Sequence, residues 1–366
     1  MRPIVLAFTG LLVAGLSASG TAQDAALDPC NLSASERIVA VADVHGGYDR
    51  FVAILRAAGV VDGRDRWAGG RTVFVQTGDV LDRGPDSRRA LDLIRRLSEE
   101  ARRAGGRVHA LLGNHEVMRM LGDMRYVSSG EYGAFRSVES EALRDRYYAA
   151  AVDEAAGRAK SSGQKFDEPA FRTTFLDQTP LGWVEMQLAF GPKGDYGRWL
   201  RERDTMVRIN GVVFVHGGIS PKVAPLGCAK VNSLVRSELG ASGPLDAAQA
   251  AGQLSTSEDG PLWYRGLAQN DESTFAPEVD AILLALDARA IVIGHTVAAS
   301  GRLTPRFGGR VIQLDTGMLG GTFYPSGRPA ALEIMGGRFT AIYGDRRDEL
   351  PAAGARAAMA ASVPQG

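Results

Sequence analysis

Five short apolar runs, each ending in a glycine-flanked loop that carries His, Asp or Asn, constrain the fold of this chain more than any other feature. Arg37–Ala42 leads into Asp43-Val44-His45-Gly46-Gly47, and Thr72–Gln76 into Gly78-Asp79-Val80-Leu81-Asp82-Arg83-Gly84. Val108–Leu112 precedes Gly113-Asn114-His115-Glu116, Gly211–Val215 precedes His216-Gly217-Gly218, and Ala290–Ile293 precedes Gly294-His295-Thr296. Unbroken apolar runs of this length predict strands buried on both faces. Helical spacing follows the first two: Phe51, Ile54 and Leu55 within Asp49–Ala58, and Leu91, Ile94 and Leu97 within Asp86–Ala104. Repeated strand, loop and helix units predict an α/β fold with a site at the strands' carboxyl ends. Later strands are expected at Arg310–Leu314, which ends in Asp315-Thr316-Gly317, and at Ala330–Ile334 and Phe339–Tyr343.

The remaining stretches divide the chain. Residues 1–22 combine Arg2, the apolar run Ile4–Leu16 and a small-residue stretch ending Gly20-Thr21-Ala22, which reads as a secretory signal. The apolar run falls short of the roughly 20 residues that a membrane span needs, and Leu27-Asp28-Pro29-Cys30 is a poor lipidation site. A mature chain beginning near Gln23, periplasmic or secreted and without a stable membrane anchor, is expected. One domain is expected over 37–344, with weak periodicity and mixed charge at 124–206 marking a helical insertion or cap; Glu139–Lys160 reads as one of its helices. Residues 345–366, rich in Ala, Arg and Pro, read as a disordered tail. Cys30 and Cys228 are the only cysteines, either bridged in an oxidising compartment or separately buried as thiols. Lys plus Arg and Asp plus Glu are 42 each, so a nucleic-acid partner lacks its usual electrostatic support. The sequence sets no oligomeric state.

Four of the five histidines, His45, His115, His216 and His295, stand at strand ends beside glycine, a placement that packing alone does not account for. His109, inside a strand, has the ordinary structural reading. Asp43, Asp79 and Asn114 with three of the histidines form a mixed oxygen and nitrogen donor set, suited to Mn, Fe or Zn rather than Ca or Mg. They are too many for one tetrahedral ion. Two divalent ions sharing a carboxylate and a water would use them all and generate a hydroxide nucleophile.

These residues resemble the phosphoprotein-phosphatase branch of the calcineurin-like metallophosphoesterases. The motifs are Asp43-Val44-His45-Gly46, Gly78–Gly84, Gly113-Asn114-His115-Glu116, His216-Gly217-Gly218 and Gly294-His295, in the family's order. Leu262-Trp263-Tyr264-Arg265-Gly266 and the long insertion look most like the Shewanella-like phosphatase group. The resemblance implies an αββα sandwich, two packed mixed sheets flanked by helices. It also implies that Asp43 and His45 bind one metal, that Asn114, His216 and His295 bind the other, and that Asp79 bridges them. Arg83 and Arg265 would clamp the phosphate, with Asn114 also touching it, and His115 would protonate the leaving oxygen while Asp82 orients its ring. Ala42 stands where the family has Gly, a departure that touches only loop geometry. Glu116 reads as a supporting residue; Tyr324 reads either as packing or as an edge of the substrate groove. Arg236, Arg289 and Arg302 are the rivals to Arg265.

The expected activity is metal-dependent hydrolysis of phosphomonoesters on a phosphoprotein or phosphopeptide, with phosphotyrosine, phosphoserine or phosphothreonine as substrate. Manganese is the expected metal, with iron or zinc as alternatives. A small-molecule or dinucleoside polyphosphate phosphohydrolase would use the same site. A non-catalytic metal-binding scaffold would have no need of the His115 and Asp82 pair.

Overall fold

A computed structural model describes residues 29–34, 37–240 and 252–351; the expected signal segment and most of the expected tail lie outside them. Two sheets carry the molecule. The six-stranded sheet has β1 (Arg37–Val41) parallel to β2 (Val73–Gln76), which is parallel to β3 (Arg107–Ala110). The five-stranded sheet contains β4 (Met206–Ile209), β5 (Val212–Val215), β6 (Ala290–Ile293), β7 (Thr304–Arg306) and β8 (Val311–Gln313), with β5, β6 and β8 parallel. Antiparallel β9 (Ala331–Met335), β10 (Arg338–Tyr343) and β11 (Arg346–Leu350) return the chain to the first sheet beside β1.

Strand alternation builds the layers. Ile38 and Ala40 of β1 meet Val212 and Phe214 of β5 and Val292 of β6 between the sheets. Val39 and Val41 point the other way, onto α1 (Tyr48–Ala57) and α2 (Ser87–Arg103), through Phe51, Leu55, Leu91 and Ile94. On the opposite outer face, Val213, Val215, Ile291 and Ile293 pack against Val231 of α9 (Gly227–Gly240) and Val279 and Ile282 of α10 (Glu272–Ala285). The expected αββα sandwich is therefore the architecture observed. A strand with apolar side chains on both faces has no polar alternation, which is why the runs are continuous in sequence.

The 124–206 stretch is helical: α4 (Ser129–Phe135), α5 (Ser140–Ser161), α6 (Glu168–Gln178), α7 (Trp183–Phe190) and α8 (Asp195–Arg201) follow α3 (Asn114–Met120). Arg346–Leu350, expected within the disordered tail, instead pairs with β10 as an edge strand. Its charged sequence hid it: Arg347 pairs with Glu333 at 3.0 Å, and Asp348 pairs with Arg302. Charges of this kind also discourage pairing with another chain at a sheet edge. Of the two readings of the cysteines, the structure has the bridge, Cys30 to Cys228 with Cα atoms 5.6 Å apart. Among the described residues no helix is long and apolar enough to cross a membrane.

Candidate metal centre

The carboxyl ends of β1, β2 and β3 meet those of β5, β6 and β8 at one edge of the sandwich. His216 Nδ1 bonds the Thr77 carbonyl at 3.0 Å, and the His295 backbone N–H donates to Asp43 Oδ1 at 3.0 Å, each joining the two sheets. A Cβ at Gly294 would stand 2.6 Å from Asp43 Oδ1, so this approach requires glycine. The backbone around the site is unusual: His45, Asp79, Asp82, Arg83 and His295 have φ of 47°, 55°, 71°, 68° and 63°. Left-handed conformations cost a non-glycine residue on the order of 1–3 kcal/mol each, so neighbouring bonds must hold them.

Glu116, buried on α3, supplies several. Its Oε2 accepts the N–H groups of Asp79 and Gly113 at 2.8 Å each, and its Oε1 those of Val80 at 2.9 Å and Leu81 at 3.3 Å. Gln76 closes the loop entrance by donating to the Gly78 carbonyl at 2.6 Å and accepting its N–H at 3.0 Å.

Asp79 stands at the centre with its two oxygens facing different histidines. Oδ2 lies 3.7 Å from His45 Nε2 and 3.7 Å from His115 Nε2, while Oδ1 lies 3.3 Å from His216 Nε2. Asn114 Oδ1 approaches the same His216 nitrogen at 2.9 Å, and Asp43 Oδ2 is 3.7 Å from His45 Nε2. Two groups could hold a cation, His45 with Asp79 and His115, and Asp79 with His216 and His295; within each the ligand atoms lie within 4.8 Å of one another. Both groups are buried.

Burial lowers the proton affinity of His45 to about 3, despite the opposing charge of Asp79. It lowers His295 to about 2, helped by His216 and Arg265. Both rings are therefore neutral at neutral pH, as metal ligands must be. Burial and then the charges of Asp315 and Asp79 push Asp43 well above the usual carboxylate range, and burial first pushes Asp315 up to about 6. Asp79 resists its own burial because His216 and His115 stabilise its charge, and it lies well below that range. His295 Nε2 is buried with no hydrogen-bond partner. Crowded carboxylates, neutral imidazoles and an orphaned ring nitrogen fit divalent cations.

The other expected site residues are nearby. His115 Nδ1 bonds Asp82 Oδ2 at 2.5 Å, leaving Nε2 facing Asp79. Arg83 reaches His45 Nε2 and lies between the Tyr126 and Tyr324 rings, 5.7 and 5.8 Å from their centroids. Arg265 donates to the His295 carbonyl at 3.2 Å and Thr296 Oγ1 at 3.0 Å. Its rivals are engaged elsewhere: Arg236 pairs with Asp204, Arg302 with Asp348, and Arg289 donates to the Asn210 carbonyl. His109 stays within β3, outside the cluster. Sequence reasoning missed Asp315, whose strand-end position was the available signal, and Arg119, four residues after His115 on α3 and so on its face. It also missed the rim aromatics Tyr126, 5.1 Å from the His115 ring, and Trp263, 5.9 Å from that of His295.

Two packed mixed sheets between helices, with clustered His, Asp and Asn at the strand ends, define a metallophosphoesterase architecture. The profile of the calcineurin-like phosphoesterases matches residues 36–299, and the chain belongs to that family. It is thus a phosphoesterase, a hydrolase, and the family implies divalent metal ions. Within the family it is similar to Shewanella-like protein phosphatase 2 of Arabidopsis thaliana, 28% identical over 317 residues, covering 82% of this chain and 75% of that protein. Shewanella-like protein phosphatase 1 of Plasmodium berghei is 25% identical over 316 residues, covering 85% and 75% respectively. Among solved structures, the cold-active protein-tyrosine phosphatase of a psychrophile Shewanella sp. superposes with a TM-score of 0.65 at 28% identity, covering 87% of this chain and 81% of that one.

Proposed function

We propose that the chain is a metal-dependent phosphoprotein phosphatase that cleaves phosphomonoesters on protein or peptide side chains, phosphotyrosine foremost and phosphoserine or phosphothreonine as further substrates. The observation that carries this reading is Asp79, whose two oxygens face separate histidine groups, as a residue shared by two cations would. Asp43, His45 and Asp79 would hold one ion; Asp79, Asn114, His216 and His295 would hold the other. The donor set suits manganese, with iron or zinc as alternatives. When bound, such a pair neutralises phosphoryl charge and lowers the pKa of water enough to supply the nucleophile.

The chain's own residues account for the rest. Arg83, beside His45, and Arg265, beside His295, bind phosphate oxygens, a task suited to a planar guanidinium with parallel donors. Asp82 holds the His115 ring through Nδ1, so that Nε2 presents its proton to the leaving oxygen as the phosphorus–oxygen bond breaks. Tyr126, Tyr324 and Trp263 around the ligands form an apolar rim suited to an aryl phosphate. The likeness to a protein-tyrosine phosphatase supports the same preference. Residues 1–22 and the Cys30–Cys228 bridge support an exported protein, since disulfides persist in oxidising compartments.

Metal analysis of natively isolated protein, with turnover measured on phosphotyrosine, phosphoserine and phosphothreonine peptides and on nucleotides, tests this directly. About two divalent ions per chain and fastest turnover of the phosphotyrosine peptide are expected. Faster turnover of a dinucleoside polyphosphate would move the assignment to small-molecule hydrolysis.

A further inference from the structure

The loop that carries Asp82 and Arg83 is held by the segment that follows α3. Arg83 N–H donates to the Tyr126 carbonyl at 2.9 Å, Ser128 Oγ donates to the Gly84 carbonyl at 3.1 Å, and Asp82 N–H donates to Glu131 Oε1 at 3.3 Å. Three consecutive loop residues, two of them at positive φ, are thus bonded one by one from residues 126–131. Glu131 is itself fixed, because its Oε2 accepts the Ser128 N–H at 3.1 Å in the capping box that starts α4.

Arg119 ties this brace to the proton donor. Its side chain is 1% exposed, and one nitrogen bonds Asp82 Oδ1 while also lying 3.3 Å from Glu131 Oε1. The other terminal nitrogen meets Met186 Sδ at 3.0 Å, and the guanidinium sits 5.1 Å from the Phe190 ring, both on α7. Asp82 therefore has one oxygen on Arg119 and the other on His115 Nδ1, with its backbone on Glu131. A carboxylate gripped on both oxygens and at its own N–H cannot rotate, so the ring bonded to it cannot either. A charged guanidinium in a dry site is costly unless its partners are fixed, so it has a place here only as part of such a network.

We propose that Arg119 and Glu131 are positioning residues for proton donation. Acting through Asp82, they fix the direction of His115 Nε2, so that the leaving oxygen, which keeps the electron pair of the broken phosphorus–oxygen bond, takes the Nε2 proton. The inference rests on the hydrolytic reading above and adds that residues of the helical insertion help to set the rate of that step.

Leaving-group dependence tests it. A phenol like that of tyrosine, with pKa near 10, needs the proton, whereas p-nitrophenol is acidic enough to depart with little help. In Arg119→Met, kcat on phenyl phosphate should fall by about 10- to 100-fold, a fraction of what general acid catalysis supplies, and far less on p-nitrophenyl phosphate. KM and bound metal should match wild type. Glu131→Gln should show the same pattern in weaker form. Arg119→Lys, which keeps the charge without the fork, should recover part of the phenyl phosphate rate. Equal losses on both substrates at full metal content would reduce Arg119 to a structural role and overturn the proposal. If Arg119→Met does not fold, Arg119→Lys and Glu131→Gln decide by the same comparison. A wild-type protein inactive on both substrates with metal present overturns the hydrolytic reading and this proposal with it, whereas an active wild type with uniformly slowed variants overturns only the positioning role.

Discussion

Glu116→Gln separates a carboxylate that merely fills space from one that holds the metal loop. The substitution conserves shape, so it opens no cavity. What changes is donor and acceptor balance: Glu116 offers two accepting oxygens to four backbone N–H groups, two on each. Gln offers one oxygen and one NH2 group, so either orientation leaves two buried N–H groups facing a donor. Each orphaned buried donor costs about 1–3 kcal/mol, giving about 2–6 kcal/mol in total. At roughly 2–4 °C per kcal/mol for a domain of this order, the melting temperature should fall by roughly 4–24 °C. Because two of the donors belong to Asp79 and Val80, bound metal should fall as well. Thermal unfolding and metal analysis, each with and without added manganese, measure both effects. Glu99→Gln is the control: it removes an exposed pairing with Arg102 and should cost no more than about 0.5 kcal/mol. An E116Q protein that melts with wild type and keeps its metal would refute the argument that this carboxylate supports the strained loop.

Asp79→Asn should lower metal content, whereas Asp82→Asn should slow turnover by about tenfold or more with metal retained; equal metal loss in both, by elemental analysis, would erase the division between them. Reducing Cys30–Cys228, or replacing both with serine, removes a link across 198 residues and should destabilise the chain by up to about 5 kcal/mol in a denaturant titration. Unchanged stability after confirmed reduction would count against the constraint. His109 supplies a pH signature away from the metals: burial and the charges of Arg107 and Arg203 hold it down at about 4, and its Nε2 is buried without a partner. Between the ordinary value of 6.5 and about 4 the unfolded chain binds the proton and the folded one does not, so stability is lost as pH falls through that window. The share of the loss due to His109 should reach about 1–3 kcal/mol, and His109→Gln should remove that share while leaving the part due to His45 and His295; an unchanged pH profile would refute the assignment.

The strand ends were legible because the chain advertises them in two ways at once. A strand buried on both faces must be apolar throughout, and a sharp turn into a ligand requires glycine beside it, so Val39-Ala40-Val41 and Gly46-Gly47 announce each other. Where one signal is missing, the reading fails. β11 is almost wholly charged, and β4, broken by Arg208, lies at the end of a polar insertion. Arg119, four residues after His115, and Glu131, in a Ser-x-x-Glu capping box, carry local marks of position but none of burial. The burial of Arg119 depends on Met186 and Phe190 from a helix about 70 residues further along the chain, a long-range fact that no spacing rule expresses. Asp315, whose charge acts on Asp43, was the avoidable miss, since it follows a strand and precedes Gly317 much as the proposed ligands stand beside glycine.

The loop Gly78–Gly84 is held in two halves by different parts of the chain. Glu116, which opens α3 beside the histidine and asparagine of the family motif, takes the N–H groups of Asp79, Val80 and Leu81. The residues after α3 take over at the next position, with Glu131 at Asp82, Tyr126 at Arg83 and Ser128 at Gly84. The change of support falls between the proposed metal bridge and the residues proposed to orient the acid and grip phosphate. A sequence change within 126–131 therefore reaches the residues proposed for proton donation and phosphate binding directly, and reaches Asp79 only through Leu81 and Val80, which Glu116 already fixes. Metal loading and turnover are in consequence expected to vary independently. On the proposed assignment, the helical insertion is the part of the chain through which turnover is expected to be adjusted without disturbing the proposed metal site.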